Sequence, residues 1–427
     1  MEQQAIIALA VFLVTYAMII TEKIHRTIVA MLGGLIILLL GIVDVHTAIS
    51  HHIDFNTIGL LIGMMIIVSV TAKTGLFKYI AIIAAKRAKG EPVKILLALS
   101  LITAIGSAFL DNVTTVLLIV PVTFSITRQL KVHPFPFLFS QILASNIGGT
   151  ATLIGDPPNI MIGSAVRELT FIAFINNLTP IVVLIMLVHL PIFLLLFRKK
   201  LRTTDENKQG IMMMDASELI SDRPLLTRCL IILGVTIAGF FLHQTLHLES
   251  SVVALTGAFL LLLLTGEHAM EEAFTRVEWT TIFFFVGLFV LVGGLVDTGL
   301  IGQLASQAVK LTGGDTFAAS MLILWMSALA SAFMDNIPFV ATMIPLIQEM
   351  GNMGVQNLEP LWWCLALGAC LGGNGTLIGA SANLITAGLS AKEGYPITFM
   401  QFLKYAFPLM LLSILISSIY IWLRYLL

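Results

Sequence analysis

Asn146-Ile147-Gly148-Gly149-Thr150-Ala151-Thr152-Leu153-Ile154-Gly155-Asp156-Pro157-Pro158-Asn159 interrupts an apolar stretch running from 135 to 165, and Leu371-Gly372-Gly373-Asn374-Gly375-Thr376-Leu377-Ile378-Gly379-Ala380-Ser381-Ala382-Asn383 interrupts another from 359 to 389. A helix with Gly-Gly or Pro-Pro at its middle frees backbone amides and carbonyls that lipid cannot satisfy, so such a break survives only where it is packed in protein or lines a cavity. The two segments align at an offset of 224, with Gly148-Gly149 on Gly372-Gly373, Thr152-Leu153-Ile154-Gly155 on Thr376-Leu377-Ile378-Gly379, and Asn159 on Asn383. Working outward, the same register joins Thr74-Gly75-Leu76 to Thr298-Gly299-Leu300, Ser107-Ala108-Phe109 to Ser331-Ala332-Phe333, Asp111-Asn112 to Asp335-Asn336, and Pro121 to Pro345. One register held over that length is an internal repeat.

Composition agrees with a chain that lives in lipid. Of 427 residues, 58% are hydrophobic and 11% charged, against about 25% charged in soluble domains. A net charge of -1 offers no basic excess to nucleic acid. Cys229, Cys364 and Cys370 lie in apolar runs without CxxC spacing and read as core thiols.

Measured against the roughly 20 residues that cross a bilayer, spans fall near 4–20, 27–43, 57–73, 135–165 and 171–197, then near 226–244, 250–265, 279–296, 359–389 and 398–425. Between the third and fourth span of each half, 93–130 and 317–352 are apolar but split by a polar centre, and each reads as a re-entrant hairpin. The expected fold is therefore an all-α polytopic membrane protein of two inverted repeats, each with five spans, a hairpin and one broken helix. The repeats are 1–197 and 225–427, joined by a polar linker, 198–224. The opening Met1-Glu2-Gln3-Gln4 has no positive n-region and no small-residue cleavage site follows, so the first segment is expected to remain as an anchor.

With five crossings per half, 20 of the 23 Lys and Arg gather on one side, and Arg167, Lys310 and Arg424 on the other. The positive-inside tendency then puts the linker in the cytoplasm, both termini outside, the first hairpin opening inward and the second outward. The membrane is expected to be the plasma (inner) membrane. The basic stretch 78–94 reads as an interfacial helix.

The polar residues at the breaks are the candidate site. Asp and Asn are favoured N-caps and Pro338 suits a first helical turn. However, an aspartate at the centre of a membrane helix costs about 2.5–3.5 kcal/mol even on the mildest scale, and Ser or Thr would cap more cheaply. Asp111 and Asp335 are thus expected to bind a coupling H+ or Na+, with Na+ expected at Asp111, Asn112, Asp335 and Asn336. Asp156 faces Ala380 in the repeat, so the half-sites differ chemically. Thr114, Asn146, Gly149, Thr152, Asn159, Gly373, Asn374, Thr376, Ser381 and Asn383 complete the coupling-ion or substrate site. Helix amino ends suit an anion; carboxyl ends and loose carbonyls suit a cation. No cofactor is expected. Gly373, Gly375 and Gly379 lack the preceding strand of a dinucleotide loop. His243 and His247 stand one turn apart without a third ligand nearby, and His189 reads as bonded to a neighbouring helix in preference to a proton relay.

Phe109-Leu110-Asp111-Asn112-Val113-Thr114-Thr115, Asp335-Asn336-Ile337-Pro338 and the segments 148–159 and 372–383 resemble the pink-eyed-dilution P protein group within the arsenite permease and sodium/proton antiporter superfamily. The resemblance spans nearly the whole chain and implies ion-coupled secondary transport. The wider superfamily includes sodium-coupled dicarboxylate carriers, and similarity to them implies a homodimer and an elevator motion. Their hairpin tips read Ser-Asn-Thr where this chain has Asp-Asn, a departure that bears on dicarboxylate specificity. Two other classes compete. A passive anion conductance would use the same helix dipoles. An intramembrane aspartyl protease would pair the two aspartates, but no second catalytic motif accompanies them. No enzyme activity is expected.

Overall fold

In the computed structural model, which describes residues 2–21, 23–216 and 219–427, every regular element is helical. Met1, Glu22 and the linker residues Ser217 and Glu218 lie outside the described set. Nine described helices are long and apolar enough to cross a membrane. Six stand outside the hairpins: Gln3–Thr21, Phe55–Lys73, Phe171–Phe197, Arg223–Leu242, Trp279–Asp297 and Phe399–Leu426. The other three belong to hairpins: Pro92–Phe109 pairs with Asn112–Leu130, and Thr316–Phe333 pairs with the 17-residue helix Asn336–Asn352, which is not among the nine. The broken helices are Phe135–Gly149 followed by Pro157–Ala165, and Glu359–Gly372 followed by Ser381–Lys392. The chain is an all-α polytopic membrane protein.

Helix bounds recur at the 224 offset, as Phe55–Lys73 does in Trp279–Asp297 and Pro92–Phe109 in Thr316–Phe333. The packing recurs as well. Helix Arg26–Leu39 lies against Trp279–Asp297, and Ser250–Thr265 against Phe55–Lys73. A Cβ on Gly287 would stand 2.6 Å from the backbone carbon of Ala30, and one on Gly63 2.6 Å from that of Ala254. Only glycine permits backbones that close. Likewise a Cβ on Gly148 would meet the Ala104 carbonyl oxygen at 2.1 Å and one on Gly372 the Ala328 carbonyl oxygen at 2.6 Å, so each broken helix is pressed onto the first helix of its own hairpin.

The remaining differences from the sequence reading are local. Of the stretch 78–94 read as one interfacial helix, the structure makes helix only to Arg87, in Leu76–Arg87; the chain turns at Lys89-Gly90, both with positive φ, and Lys94 already belongs to the hairpin. The matching helix in the second half is Leu300–Thr312. The linker is more than a tether. Its helix Asp205–Met213 lies across the base of the first hairpin, where Thr203 Oγ1 donates to the Leu130 carbonyl and Lys208 Nζ donates to Glu91 at 2.8 Å and Asp205 at 3.0 Å. Those two carboxylates hold the Lys208 ammonium above its ordinary range. Despite Pro180, helix Phe171–Phe197 is continuous; the Asn177 carbonyl takes a hydrogen bond from Tyr420 Oη at 2.6 Å and its side chain one from Arg424 at 2.8 Å.

Candidate functional site

Both hairpin tips place an aspartate in extended or near-extended backbone, capping the second helix. Asp111 spends both oxygens on Thr114: Oδ1 accepts the amide at 2.8 Å and Oδ2 accepts the hydroxyl. Three residues beyond Asp335 stands Pro338, which has neither amide hydrogen nor hydroxyl to give. Asp335 Oδ1 accepts only the Ile337 amide, at 3.2 Å. Its Oδ2 takes a hydrogen bond from Ser381 Oγ at 2.8 Å and an ion pair with Arg26 Nη1. The same Nη1 donates to Ser381 Oγ at 2.8 Å, and the guanidinium lies 4.9 Å over the Phe284 ring.

The breaks in the helices satisfy much of their own backbone. Thr152 and Thr376 donate their hydroxyls to the carbonyls of Ala108 and Ala332 in the hairpins. Ser107 and Ser331 donate to Ser145 and Ala369 carbonyls, both at 2.6 Å. Asn159 donates to the Thr150 and Thr152 carbonyls at 3.1 and 2.8 Å, and Asn383 to the Gly373 and Thr376 carbonyls at 2.7 and 2.9 Å. Gly149 and Gly373 sit where the carbonyls of Gly155 and Gly379 return against them; a Cβ would stand 2.6 and 3.1 Å from those oxygens. These side chains answer the carbonyls that a broken helix exposes.

Between the halves runs a chain of buried amides. Asn146 Nδ2 donates to Asn374 Oδ1 at 2.9 Å and Asn383 Oδ1 at 3.0 Å, and its Oδ1 accepts from Asn112 at 3.2 Å. In the repeat Asn146 becomes Cys370, whose thiol reaches Asn159 Oδ1 at 3.5 Å, so Asn146 to Asn383 and Cys370 to Asn159 are the same relation drawn twice. The symmetry fails at Asn336. Its amide donates to Asp156 Oδ1 at 3.3 Å, while Asp156 Oδ2 has no hydrogen-bond partner although the residue is 1% exposed.

Asp111, Asn112, Asp156, Pro157, Asn336 and Ser381 line a cavity of about 30 Å³ together with Arg26, Glu278 and Thr281. The amino ends of four helices, beginning at Asn112, Pro157, Asn336 and Ser381, thus open onto one small space. Such ends favour an anion, whereas the carboxylates favour a cation or proton, and the cavity offers both. Arg26, Glu278 and Thr281 are absent from the sequence reading. As a site residue Arg26 went unread, being one of the 20 basic residues counted on the linker's side, although its position, like that of Glu278, at the very edge of an apolar run was a usable signal.

Other residues singled out lie elsewhere. His189 Nδ1 faces the Ile185 carbonyl at 2.8 Å and Nε2 faces Leu409 O and Ser413 Oγ at 3.3 and 3.2 Å, so both nitrogens are engaged. His243 and His247 border a separate cleft of about 1040 Å³, with His51, His52, Asp54, Arg167 and Glu249.

A family model described as citrate transporter matches residues 16–368. The chain is 43% identical over 426 residues, 99% of both chains, to an uncharacterized transporter of Mycobacterium tuberculosis, and 42% identical over 99% of both to a 46 kDa membrane protein of Mycobacterium leprae. It is 37% identical to the P protein of Mus musculus over 98% of this chain and 60% of that one. A crystal structure of the Alcanivorax borkumensis YdaH transporter superposes with a TM-score of 0.62 over 94% of this chain and 98% of the other; at 14% identity that likeness speaks for the fold alone. The expected kinship with the P protein group and its superfamily therefore stands, and the chain is a membrane transporter and not an enzyme. With its broken helices meeting at one buried polar cavity and a family match across most of its length, the chain belongs to the citrate transporter family.

Proposed function

We propose that this transporter is an ion-coupled secondary carrier, driven by H+ or Na+, that moves a small ion or anion through the cavity between the hairpin tips and the broken helices. One observation carries the reading: Asp156 lines that cavity with a buried carboxylate that has one amide donor, Asn336, and the weak Cys370 thiol beside it, and whose Oδ2 takes no well-formed hydrogen bond. Leaving such an oxygen unpaired costs about 1–3 kcal/mol, more when charged, a cost that a bound cation or proton removes. Asp111 and Asp335 stand beside it with Asn112, Asn336, Thr114 and Ser381, while Asn146, Asn159, Asn374, Asn383, Thr152, Thr376, Gly149 and Gly373 hold the loops in place. The family description makes citrate the first substrate to test.

The same reading has an elevator form. Hairpins and broken helices are stitched to each other by Ser107, Thr152, Ser331 and Thr376. The scaffold of this reading, its second body, is the first three spans of each half, Gln3–Thr21, Arg26–Leu39, Phe55–Lys73, Arg223–Leu242, Ser250–Thr265 and Trp279–Asp297, which pack on one another. The first body would slide past the second as one packed unit, since separate exposure of four breaks to lipid is costly. Inverted repeats at 1–197 and 225–427, a cytoplasmic linker, an inner-membrane location and a homodimer belong to this reading.

Proteoliposome flux tests it. Uptake of citrate, succinate, Na+ or arsenite against its gradient, driven by an imposed pH or Na+ difference, is the expected result. Flux that only runs downhill and follows the membrane potential would make the protein a conductance.

A further inference from the structure

We propose that Arg26 is a tethered counter-ion that takes the place of a coupling Na+ at Asp335, so that this hairpin tip is neutralised by the guanidinium or by the ion but not by both. The inference rests on the ion-coupled reading and gives the cavity-lining Arg26 a role in it. It begins from chain chemistry. Asp111 is closed in on its own helix by Thr114, whereas Pro338 leaves Asp335 Oδ2 free to take an outside partner. That partner comes from another body. Asp335 belongs to the second hairpin and Ser381 to the second broken helix, while Arg26 starts a helix bound to Trp279–Asp297 through the close Gly287 contact and a Thr27 hydroxyl that donates to the Thr280 carbonyl at 2.7 Å.

The charge around the pair is lopsided. Four carboxyl groups, Asp335, Asp111, Asp156 and Glu278, share the cavity and its rim with one guanidinium, so an arriving cation finds several oxygen ligands of which only Asp335 is already paired with a cation. Arg26 Nη1 and the Ser381 hydroxyl already converge on Asp335 Oδ2. A Na+ bound to that oxygen would stand against the guanidinium, and like charges in a low-dielectric site repel strongly. One must leave. The counterpart of Arg26 in the first repeat's partner helix is Ser250, so the device exists at one tip only. Release of Arg26 also severs the ion pair that ties the second hairpin to helix Arg26–Leu39, which links ion binding to freedom of movement.

Na+-dependent thermal stabilisation of the purified full chain, with choline replacing Na+, measures binding by mass action; proteoliposome uptake under Na+ or pH gradients is run beside it. Arg26→Gln is expected to lower the half-saturating Na+ concentration by about fivefold or more, and Arg26→Lys to restore the wild-type value. Phe284→Leu, which loosens the ring beneath the guanidinium without removing it, is expected to shift the midpoint in the same direction by less and serves if Arg26→Gln does not fold. An unchanged midpoint in Arg26→Gln and Phe284→Leu overturns the counter-ion role and leaves Na+ coupling intact. A wild type indifferent to Na+ but driven by a pH gradient overturns the proposal and keeps the ion-coupled reading. A wild type driven by neither gradient removes both.

Discussion

The two hairpin tips begin with the same dipeptide and end in different chemistry. Asp111-Asn112 is followed by Val113-Thr114, and the aspartate is consumed by its own helix cap; Asp335-Asn336 is followed by Ile337-Pro338, and the aspartate reaches across to Arg26 and Ser381. The asparagines diverge in the same way, Asn112 bonding an amide and Asn336 a carboxylate. A repeat duplicates backbone positions, yet one substitution three residues downstream decides whether a carboxylate is a structural cap or an accessible charge.

The largest expected effect tests the residue with no partner in the repeat. Asp156→Ala should abolish coupled uptake while the protein still folds, because Ala380 already occupies the same extended backbone, φ -150 and ψ 147 against -146 and 136. Coupled uptake at the wild-type rate would remove Asp156 from the site.

Next come the paired aspartates. Asp335→Asn is expected to cost transport on the order of tenfold more than Asp111→Asn, since only the former breaks an ion pair between bodies. Equal losses in initial-rate assays would mean that the tips act alike and that the cap at Asp111 is incidental.

A milder change sharpens the contrast by making the second tip resemble the first. Pro338→Thr would offer Asp335 an amide and a hydroxyl, as Thr114 does for Asp111, and should weaken the hold of Arg26, lowering turnover severalfold with expression unchanged. The Tyr16 bond to the backbone carbonyl at 338 should persist. Unaltered turnover with Na+ midpoints as in wild type would show that Arg26 outcompetes the local cap.

The smallest effects belong to the amide chain. Asn146→Ala strands groups on Asn112, Asn374 and Asn383 and should destabilise the protein by about 1–3 kcal/mol, whereas Cys370→Ala loses one long thiol bond and should cost about 1 kcal/mol or less. Denaturation of the two variants in detergent measures the difference; the reverse order would show that the Cys370 side carries the interface.

Much of this arrangement was legible beforehand because it is local. Gly-Gly, Pro-Pro and Asp-Asn act on the backbone that carries them, so the breaks at 150–156 and 373–380 and the tips at Asp111 and Asp335 could be located from a single chain, as could the asymmetry of Asp156 and Ala380. Thr152, Asn159, Thr376 and Asn383 also belong to this set, although the structure engages them with loop and hairpin carbonyls instead of leaving them open to a ligand. Arg26 and Glu278 were legible only as charges at the edges of apolar runs; the packing of Arg26–Leu39 on Trp279–Asp297 is what brings them to the cavity.

By itself the sequence determined an all-helical membrane chain, its 224-residue repeat and the four places where helices stop inside it, since hydropathy, glycine and proline act at short range. The cap at Asp111 is local, made by Thr114 three residues on; only the tertiary structure settled which carboxylate is paired with a guanidinium and which is left with a free oxygen. Those outcomes depend on partners far off in the chain, 309 residues for Arg26 and Asp335 and 180 for Asn336 and Asp156, and a charge in a low-dielectric interior takes its character from whatever the fold sets beside it.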